Sequence, residues 1–270
     1  NRESESAVWE RQKSGINASG YSYNLYKRLL RQKYPGQQIL LRRFVSDAYD
    51  FQQIERMYEE KDPDQPMFLF NVTMQNHSSY NQKYDNFDQE VYLTSTKGEY
   101  PKTDQYLSLI KKTDEAFEDL LNYFKNVDEP TIILMFGDHQ PSLGEKSYNE
   151  LESFYGEEEA KADSQAIRFQ SSFVLWANFD LESASGVLTS PNYLRAMLLN
   201  AAGLELSPYE QFLLEVQKEY PAMNAFGYYD ADWNWHDRTD ENGQDELLWQ
   251  YQCMVYQNVF DKKHMNAALY

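Results

Sequence analysis

The sequence predicts an α/β fold, because two apolar runs suited to strands flank a long amphipathic helix. The runs are Met67–Met74 and Thr131–Phe136, and the second has no polar alternation at all. Strands of that kind are usually buried on both faces, as in parallel sheets. Between the runs, apolar residues recur at helical spacing from about Asp104 to Lys125. This order predicts two parallel strands joined by a right-handed crossover.

The remaining elements are predicted from capping residues and helix stops. Ser46-Asp47 is typical of a helix N-cap, whereas Gly203 and Pro221 each end a helical pattern. The further predicted strands are Gln38–Val45 and Ser172–Asn178. The further predicted helices are Tyr23–Lys33, Phe51–Glu60, Pro191–Ala202, Pro208–Glu219 and Glu246–Phe260.

Composition excludes some classes of function. The 270 residues, 41% of them hydrophobic, are enough for one large domain or one domain with a small appendage. Twenty-five basic residues against 43 acidic ones give a net charge of −18, so no nucleic acid is expected as a partner. Cys253 is the single cysteine, which rules out an intrachain disulfide and leaves the compartment open.

The chain carries no recognisable targeting segment. No window approaches the ~20 apolar residues that span a bilayer, and no signal peptide is evident. The sequence begins with Asn1 and not with Met. We therefore expect a processed product or a fragment, with any membrane anchor outside this chain.

The residues best suited to chemistry follow the two apolar runs. Asp138 and His139 come after the second run, and His77 follows the first. In α/β sheets, ligands bind beyond the carboxyl ends of parallel strands, so these three side chains would converge on one crevice. An aspartate oxygen beside a histidine nitrogen suits Mn²⁺, Zn²⁺ or Mg²⁺. The alternatives are loop residues bonded to nearby backbone and, for His77, a structural imidazole or a loop cap.

Several segments resemble one enzyme family in the same order along the chain. Phe70–His77, which reads Phe-Asn-Val-Thr-Met-Gln-Asn-His, is similar to a segment of lipoteichoic acid synthase-like phosphoglycerol transferases. These belong to the sulfatase and alkaline phosphatase superfamily. Phe136–Pro141 resembles the family's Gly-Asp-His metal motif. Further similarity, which runs from about Phe44 to the C-terminus, lies in Gln105–Leu109, Trp176–Asp180 and Pro191–Leu194.

The resemblance implies an architecture. It predicts an alkaline phosphatase/sulfatase-like sheet flanked by helices, followed by a small C-terminal α+β subdomain. Residues 1–43 match the family poorly, residues 44–222 would form the metal-site core, and residues 223–270 would pack on it as the subdomain. The N-terminal part of the family domain would be missing from this chain.

The resemblance also implies an activity. The family's members are extracellular, metal-dependent transferases that move glycerol phosphate from a phosphatidylglycerol-type lipid headgroup to a glycerol phosphate polymer or a glycan acceptor. The implied cofactor is a divalent metal, Mn²⁺ first, with Mg²⁺ or Zn²⁺ as alternatives. The implied location is the extracellular face of the cell membrane of a Gram-positive bacterium, with a membrane-anchored parent protein.

The family's roles can be carried over to matching positions only. Asp138 and His139 would be metal ligands, and His77 would contact the phosphoglycerol or assist proton transfer at the leaving oxygen. Arg2 would be a remnant of a Trp-Asn-Arg motif that contacts phosphate. The family's nucleophilic threonine and a glutamate ligand have no counterpart here, since neither Thr73 nor Thr131 matches. The chain alone is therefore expected to be inactive.

Other functions stay open from the sequence. One is another reaction of the same superfamily, such as phosphodiester, phosphoethanolamine or sulfate ester chemistry. A sulfatase would need Cys or Ser in a Cys/Ser-x-Pro-x-Arg setting, which Cys253 lacks. The other is a non-catalytic protein that binds cell-wall glycans through aromatic residues. For Trp233, Trp235 and His236, packing within the C-terminal subdomain is the favoured interpretation.

Overall fold

The computed structural model describes residues 39–94, 96, 98–152, 168–237, 245–264 and 266–269. The predicted helix Tyr23–Lys33 and the candidate Arg2 lie outside these residues. By its contacts the chain divides into two units, Asn1–Tyr123 and Phe124–Tyr270. The domain boundaries predicted after residues 43 and 222 stay a prediction.

The described part of the first unit begins with a short hairpin. Strands β1 (Leu40–Leu41) and β2 (Phe44–Val45) pair antiparallel, with Leu40 opposite Val45. Arg42 turns the chain with a φ of 55°. The single strand predicted over Gln38–Val45 is therefore wrong within the described residues, because two polar arginines interrupt the apolar run with a turn.

Two helices form the framework of the first unit. Helix α1 (Asp47–Glu59) begins at the N-cap Ser46, whose hydroxyl accepts a hydrogen bond from the Tyr49 N–H at 3.2 Å. Helix α2 spans Pro101–Lys125. The rings of Phe51 and Phe117 pack edge to face between the helices, with centroids 6.4 Å apart. Both predicted helices are confirmed, and each begins a few residues earlier than predicted.

The segment Met67–Met74 is not a strand, so this prediction is wrong. Within the described residues it has neither helical nor strand structure and no sheet partner, and Phe68 and Phe70 are 64% and 44% exposed. Side-chain bonds hold it instead, for example from Asn71 Nδ2 to Asp50 Oδ2 at 2.6 Å. The predicted pair of parallel strands around α2 is wrong for the same reason.

The second unit opens with the strand that precedes Asp138. Strands β3 (Ile132–Phe136) and β4 (Phe173–Ala177) pair antiparallel, with Phe136 opposite Phe173. Both strands are confirmed, but the burial on two faces predicted for β3 is wrong. All β3 residues remain partly accessible, because β3 has one neighbour, on one edge, in the described part of the chain. Helix α3 (Glu145–Glu152), which the sequence did not predict, follows β3.

Three helices build the main core of the second unit. They are α4 (Pro191–Ala201), α5 (Pro208–Glu219) and α6 (Glu246–Phe260), and all three were predicted. Ser207 and Glu210 form a complete capping box at the start of α5. The buried side chains of this core are Tyr193, Ala196, Leu213, Val216, Tyr220 and Leu248.

A small sheet completes the C-terminal α+β region. Strands β5 (Ala222–Met223), β6 (Gly227–Tyr229) and β7 (Trp235–Asp237) form an antiparallel sheet in that order. Gly227 is required, because a Cβ there would lie 2.2 Å from the His236 carbonyl oxygen. Short 3₁₀ turns at Lys262–His264 and Ala267–Leu269 follow α6. Within the described residues, no helix is long and apolar enough to cross a membrane.

Candidate functional site

The loop after β3, residues 137–141, carries Asp138 and His139, and we call it the Asp138–His139 loop. It is tied to the chain that leads into β4. The Gly137 N–H donates to the Ser172 carbonyl at 3.1 Å, and the Ser171 hydroxyl donates to the Gly137 carbonyl at 2.6 Å. Gln140 Nε2 donates to the Gln170 carbonyl. These bonds to the backbone at the strand end therefore fix the position of the main chain that carries Asp138 and His139.

Asp138 and His139 present their side chains to solvent as a pair. Their side chains are 76% and 68% exposed, and His139 Nε2 lies 3.6 Å from Asp138 Oδ2. His139 Nδ1 lies 2.9 Å from the Gln140 carbonyl oxygen. Because a carbonyl oxygen only accepts hydrogen bonds, this contact requires the hydrogen on Nδ1. In the neutral ring, the lone pair of Nε2 then lies on the side of the carboxylate.

This donor pair fits a divalent cation as two of its ligands. Metal–ligand bonds of about 2.1 Å at a tetrahedral angle place two ligand atoms roughly 3.4 Å apart. The observed separation of 3.6 Å between Nε2 and Oδ2 is close to that. A ligating imidazole normally donates its other N–H to a carbonyl or a carboxylate, as His139 does. Among the described residues, no third Asp, Glu, His or Cys completes a group of three.

His77 lies in the first unit on a loop of residues 75–79, which we call the His77 loop. Its imidazole is exposed, and Nδ1 lies 3.0 Å from the Ser78 carbonyl oxygen. The edge of the ring packs on Phe44, with centroids 5.8 Å apart. The contact with a carbonyl again assigns the hydrogen to Nδ1. Nε2 is therefore the ring nitrogen available for contact or proton exchange with a ligand.

A buried arginine holds the His77 loop. Arg42 is 4% exposed, and its guanidinium donates to the carbonyls of Gln75 at 2.8 Å, His77 at 2.7 Å and Ser79 at 2.9 Å. Burial lowers the pKa of Arg42. These charge-assisted bonds satisfy three loop carbonyls at once and fix the backbone that carries the imidazole.

A buried polar network ties the same loop to both helices. The Gln75 side chain is 1% exposed; Oε1 accepts from the Asp47 N–H at 2.9 Å, and Nε2 donates to Thr113 Oγ1 at 3.0 Å. The Thr113 hydroxyl donates to Asp47 Oδ2 at 2.6 Å. Burial raises the pKa of Asp47 to about 7 despite the Thr113 hydrogen bond. Gln75 therefore links the N-terminus of α1 to the middle of α2.

The structure overturns one argument about the sequence-based candidates and leaves their roles as predictions. The parallel-strand basis for bringing His77 together with Asp138 and His139 fails, since Met67–Met74 is not a strand. Their convergence and their catalytic, substrate-binding and metal roles stay predictions. Sequence reasoning missed Arg42 and Asp47 altogether. They are important because they contact residues that are 33 to 66 positions away in the sequence, and no sequence motif links the partners.

The aromatic residues of the small sheet are used in packing, as expected. The rings of Tyr229 and Trp235 pack edge to face at 5.1 Å. His236 stacks on Tyr228 at 5.2 Å, and its Nε2 lies 2.7 Å from Asp230 Oδ2. Trp233 also packs on Tyr229, with ring centroids 5.9 Å apart, but it remains 50% exposed and has a φ of 64°.

Comparison with known proteins identifies the family. The Sulfatase family matches residues 3–204. A protein of Rhizobium meliloti (strain 1021), described as a putative cyclic beta-1,2-glucan modification protein, is 27% identical over 193 residues. That alignment covers 68% of this chain and 29% of the relative.

A solved structure gives the same fold. The phosphoglycerol transferase GacH of Streptococcus pyogenes, in complex with sn-glycerol-1-phosphate, matches with a TM-score of 0.53 and 18% identity. The match covers 80% of this chain and 48% of GacH. The chain thus spans less than a third of the Rhizobium relative and about half of GacH. The α/β architecture predicted from the sequence is confirmed, and the chain belongs to the Sulfatase family.

Proposed function

We propose that this chain is the C-terminal portion of a metal-dependent phosphoglycerol transferase of the lipoteichoic acid synthase-like type. The observation that carries the proposal is the arrangement of Asp138 and His139, with Nε2 and Oδ2 3.6 Å apart at the end of β3. The likeness to a phosphoglycerol transferase bound to sn-glycerol-1-phosphate supports glycerol phosphate as the transferred group. The description of the Rhizobium relative as a putative glucan modification protein supports a glycan as the acceptor.

The roles of the residues follow from their donor atoms. Asp138 and His139 would hold the cation, which is Mn²⁺ in our proposal. When bound, it would act as a Lewis acid that polarises the phosphate oxygens and activates a hydroxyl nucleophile. His77 would give a proton to the leaving oxygen through Nε2, because Nδ1 is engaged by the Ser78 carbonyl. The Asp138–His139 loop needs further ligands to hold a metal tightly.

The cellular setting belongs to the same proposal. A phosphatidylglycerol-type lipid headgroup would donate glycerol phosphate at the extracellular face of a Gram-positive cell membrane. The anchor, the nucleophilic threonine and the glutamate ligand would come from parts of the parent protein outside this sequence. Transfer activity is therefore expected of the parent and not of residues 1–270 alone.

Mn²⁺ titration by calorimetry tests the proposed metal ligands. We expect weak binding to the wild type and none to Asp138→Ala or His139→Ala, because each change removes one of two ligands. His264→Ala is the matched control, since His264 Nδ1 pairs with Asp261 Oδ1 at 2.7 Å in the same unit. It should bind Mn²⁺ like the wild type. Equal affinity in all four proteins would show that the metal lies elsewhere.

A non-catalytic glycan-binding function is the second candidate, and the half-exposed Trp233 favours it. An aromatic ring held at a positive φ is an unusual conformation for a bulky residue and can serve as a stacking surface. Titration with a β-1,2-glucan, comparing the wild type with Trp233→Ala, tests this candidate. Glucan binding without any Mn²⁺ binding would favour it over the transferase.

A further inference from the structure

Arg43 lies beside His77 and has no role in the candidate site so far. We infer that Arg43 and His77 together form the subsite for the phosphate group of the substrate, with the Arg43 guanidinium contacting the phosphate oxygens. The inference rests on the proposed function, because it names the residue that binds the transferred group. It adds an anion-binding side chain within the described residues, where the sequence offered only Arg2.

Two contacts bring the guanidinium and the imidazole side by side. Arg43 Nη2 donates to the Ser78 carbonyl at 2.8 Å, and His77 Nδ1 lies 3.0 Å from the same oxygen. Both side chains also pack on one ring. Arg43 Cζ lies 5.0 Å from the centroid of Phe44, and the His77 ring lies 5.8 Å from it. A shared acceptor and a shared aromatic support leave little freedom for either group to move away.

Most donors of Arg43 remain available to a ligand. A guanidinium has five N–H donors, and the bond to Ser78 uses one of them. Arg43 is exposed, and within the described part of the chain no carboxylate oxygen lies within 4.0 Å of it. Arg195, for comparison, has its guanidinium 2.7 Å from Glu210 Oε1.

The neighbouring Arg42 makes this position more favourable for an anion. Its guanidinium is buried and donates to carbonyls of the His77 loop, and no carboxylate of the described residues compensates its charge. The positive charge of Arg43 contributes to lowering the pKa of Arg42, which means that the two cations repel each other. A bound phosphate would relieve this repulsion, and the clamped backbone would keep the donors aligned before it binds.

The geometry of arginine indicates the class of ligand. A planar guanidinium binds two oxygens of a phosphate with parallel hydrogen bonds, which a lysine ammonium does not reproduce. His77 Nε2, whose partner Nδ1 is engaged by the Ser78 carbonyl, would supply a further contact to the phosphate group. The ligand is thus a phosphate monoester or diester, such as glycerol phosphate.

The test is a titration followed by the histidine Cε1–H signals in NMR spectra, with His77 assigned by its loss in His77→Gln. The probes are sn-glycerol 1-phosphate, inorganic phosphate and sulfate. We expect glycerol phosphate to move the His77 signal saturably. Arg43→Ala should weaken binding about ten-fold, which corresponds to roughly 1.4 kcal/mol. Arg43→Lys should bind with intermediate affinity, because it keeps the charge without the planar fork.

Matched controls separate a contact from a loss of charge or of folding. Arg56→Ala removes one exposed positive charge from α1 and should leave the affinity unchanged. Equal affinities for the wild type, Arg43→Ala and Arg43→Lys would overturn the assignment of Arg43. A wild-type His77 signal that no probe moves would overturn the subsite as a whole.

The anion series distinguishes the sources of the phosphate group. Glycerol phosphate binding more tightly than inorganic phosphate supports a substrate subsite, whereas sulfate binding as tightly as both phosphates would overturn a phosphate-specific one. The metal titration tests the proposed function independently, because Mn²⁺ binding depends on Asp138 and His139. If Arg43→Ala did not weaken phosphate binding while the wild type still bound Mn²⁺, only the phosphate subsite would be rejected.

Discussion

The His77 loop and the Asp138–His139 loop are held in different ways, although each presents an exposed histidine with its Nδ1 on a backbone carbonyl. In the first, a buried guanidinium connects the loop to the β1–β2 hairpin, and the Gln75 amide connects it to two helices. In the second, one backbone bond and two exposed bonds from the side chains of Ser171 and Gln140 connect the loop to the chain before β4. The loop fixed by buried polar groups should therefore be more sensitive to single substitutions and to pH than the loop fixed by exposed bonds at a strand end.

The largest expected effect concerns Asp47, which couples the His77 loop to pH. Its pKa is about 7 in the folded state and 3.8 as the ordinary value. The folded protein thus holds the proton more strongly than the unfolded chain. The stability contributed by Asp47 is complete below about pH 4 and is lost as the pH rises through 7. A shift of this size corresponds to roughly 4 kcal/mol.

Urea unfolding of the wild type and Asp47→Asn at several pH values measures this effect. We expect the difference in the free energy of unfolding to change in favour of the variant by up to about 4 kcal/mol between pH 4 and pH 8. Asp85→Asn, at an exposed carboxylate, is the control and should show no such trend. A difference that is constant with pH would mean that Asp47 is not a buried titrating group.

Arg42→Met should have the next largest effect. The substitution fills a similar volume but leaves the carbonyls of Gln75, His77 and Ser79 without their donors. Buried groups without partners cost energy, and a loss of about 3 kcal/mol in the free energy of unfolding is expected. Arg42→Lys should recover part of it, because an ammonium can still reach some of these oxygens. The His77 Cε1–H signal should shift in Arg42→Met; an unchanged signal would contradict a positioning role for Arg42.

The same contrast explains what the sequence could predict. Helices α1, α4 and α5 were predictable because their signals are local: the cap Ser46 before α1, and the stops Gly203 and Pro221 after α4 and α5. Strand β4 was predictable from a short apolar run with turn residues around it. Such patterns lie within one segment and do not depend on contacts with distant residues.

The failures came where distant polar contacts override a local pattern. Met67–Met74 has the composition of a strand, yet Asn71 bonds to Asp50 on α1, and two of its aromatic residues remain exposed. Arg42 looked like part of a strand, but its guanidinium is used 33 to 37 positions away. In the candidate site, Asp138 and His139 could be chosen from the strand that precedes them. Arg43 could not, because nothing near it in sequence indicates its proximity to His77.

A smaller effect is expected at Gly137, where the Asp138–His139 loop depends on close backbone approach. A Cβ there would lie 3.1 Å from the Cβ of Ser171, so Gly137→Ala forces the two strand ends apart by a few tenths of an ångström. We expect a loss of about 1 kcal/mol in the free energy of unfolding. The double variant Gly137→Ala with Ser171→Gly should lose less than the sum of the single changes. Strict additivity would show that the two residues do not contact each other.

The smallest effect on stability is expected for Asp138→Asn. The carboxylate is 76% exposed and accepts no hydrogen bond from the described residues, so its loss should change the free energy of unfolding by less than about 0.5 kcal/mol. Mn²⁺ binding should nevertheless disappear, because a neutral amide is a poor substitute for a charged oxygen ligand. Urea unfolding and calorimetry on the same samples measure both quantities. A stability loss as large as that of Arg42→Met would mean that the Asp138–His139 loop depends on polar side chains as strongly as the His77 loop does, and the contrast between the two loops would then fail.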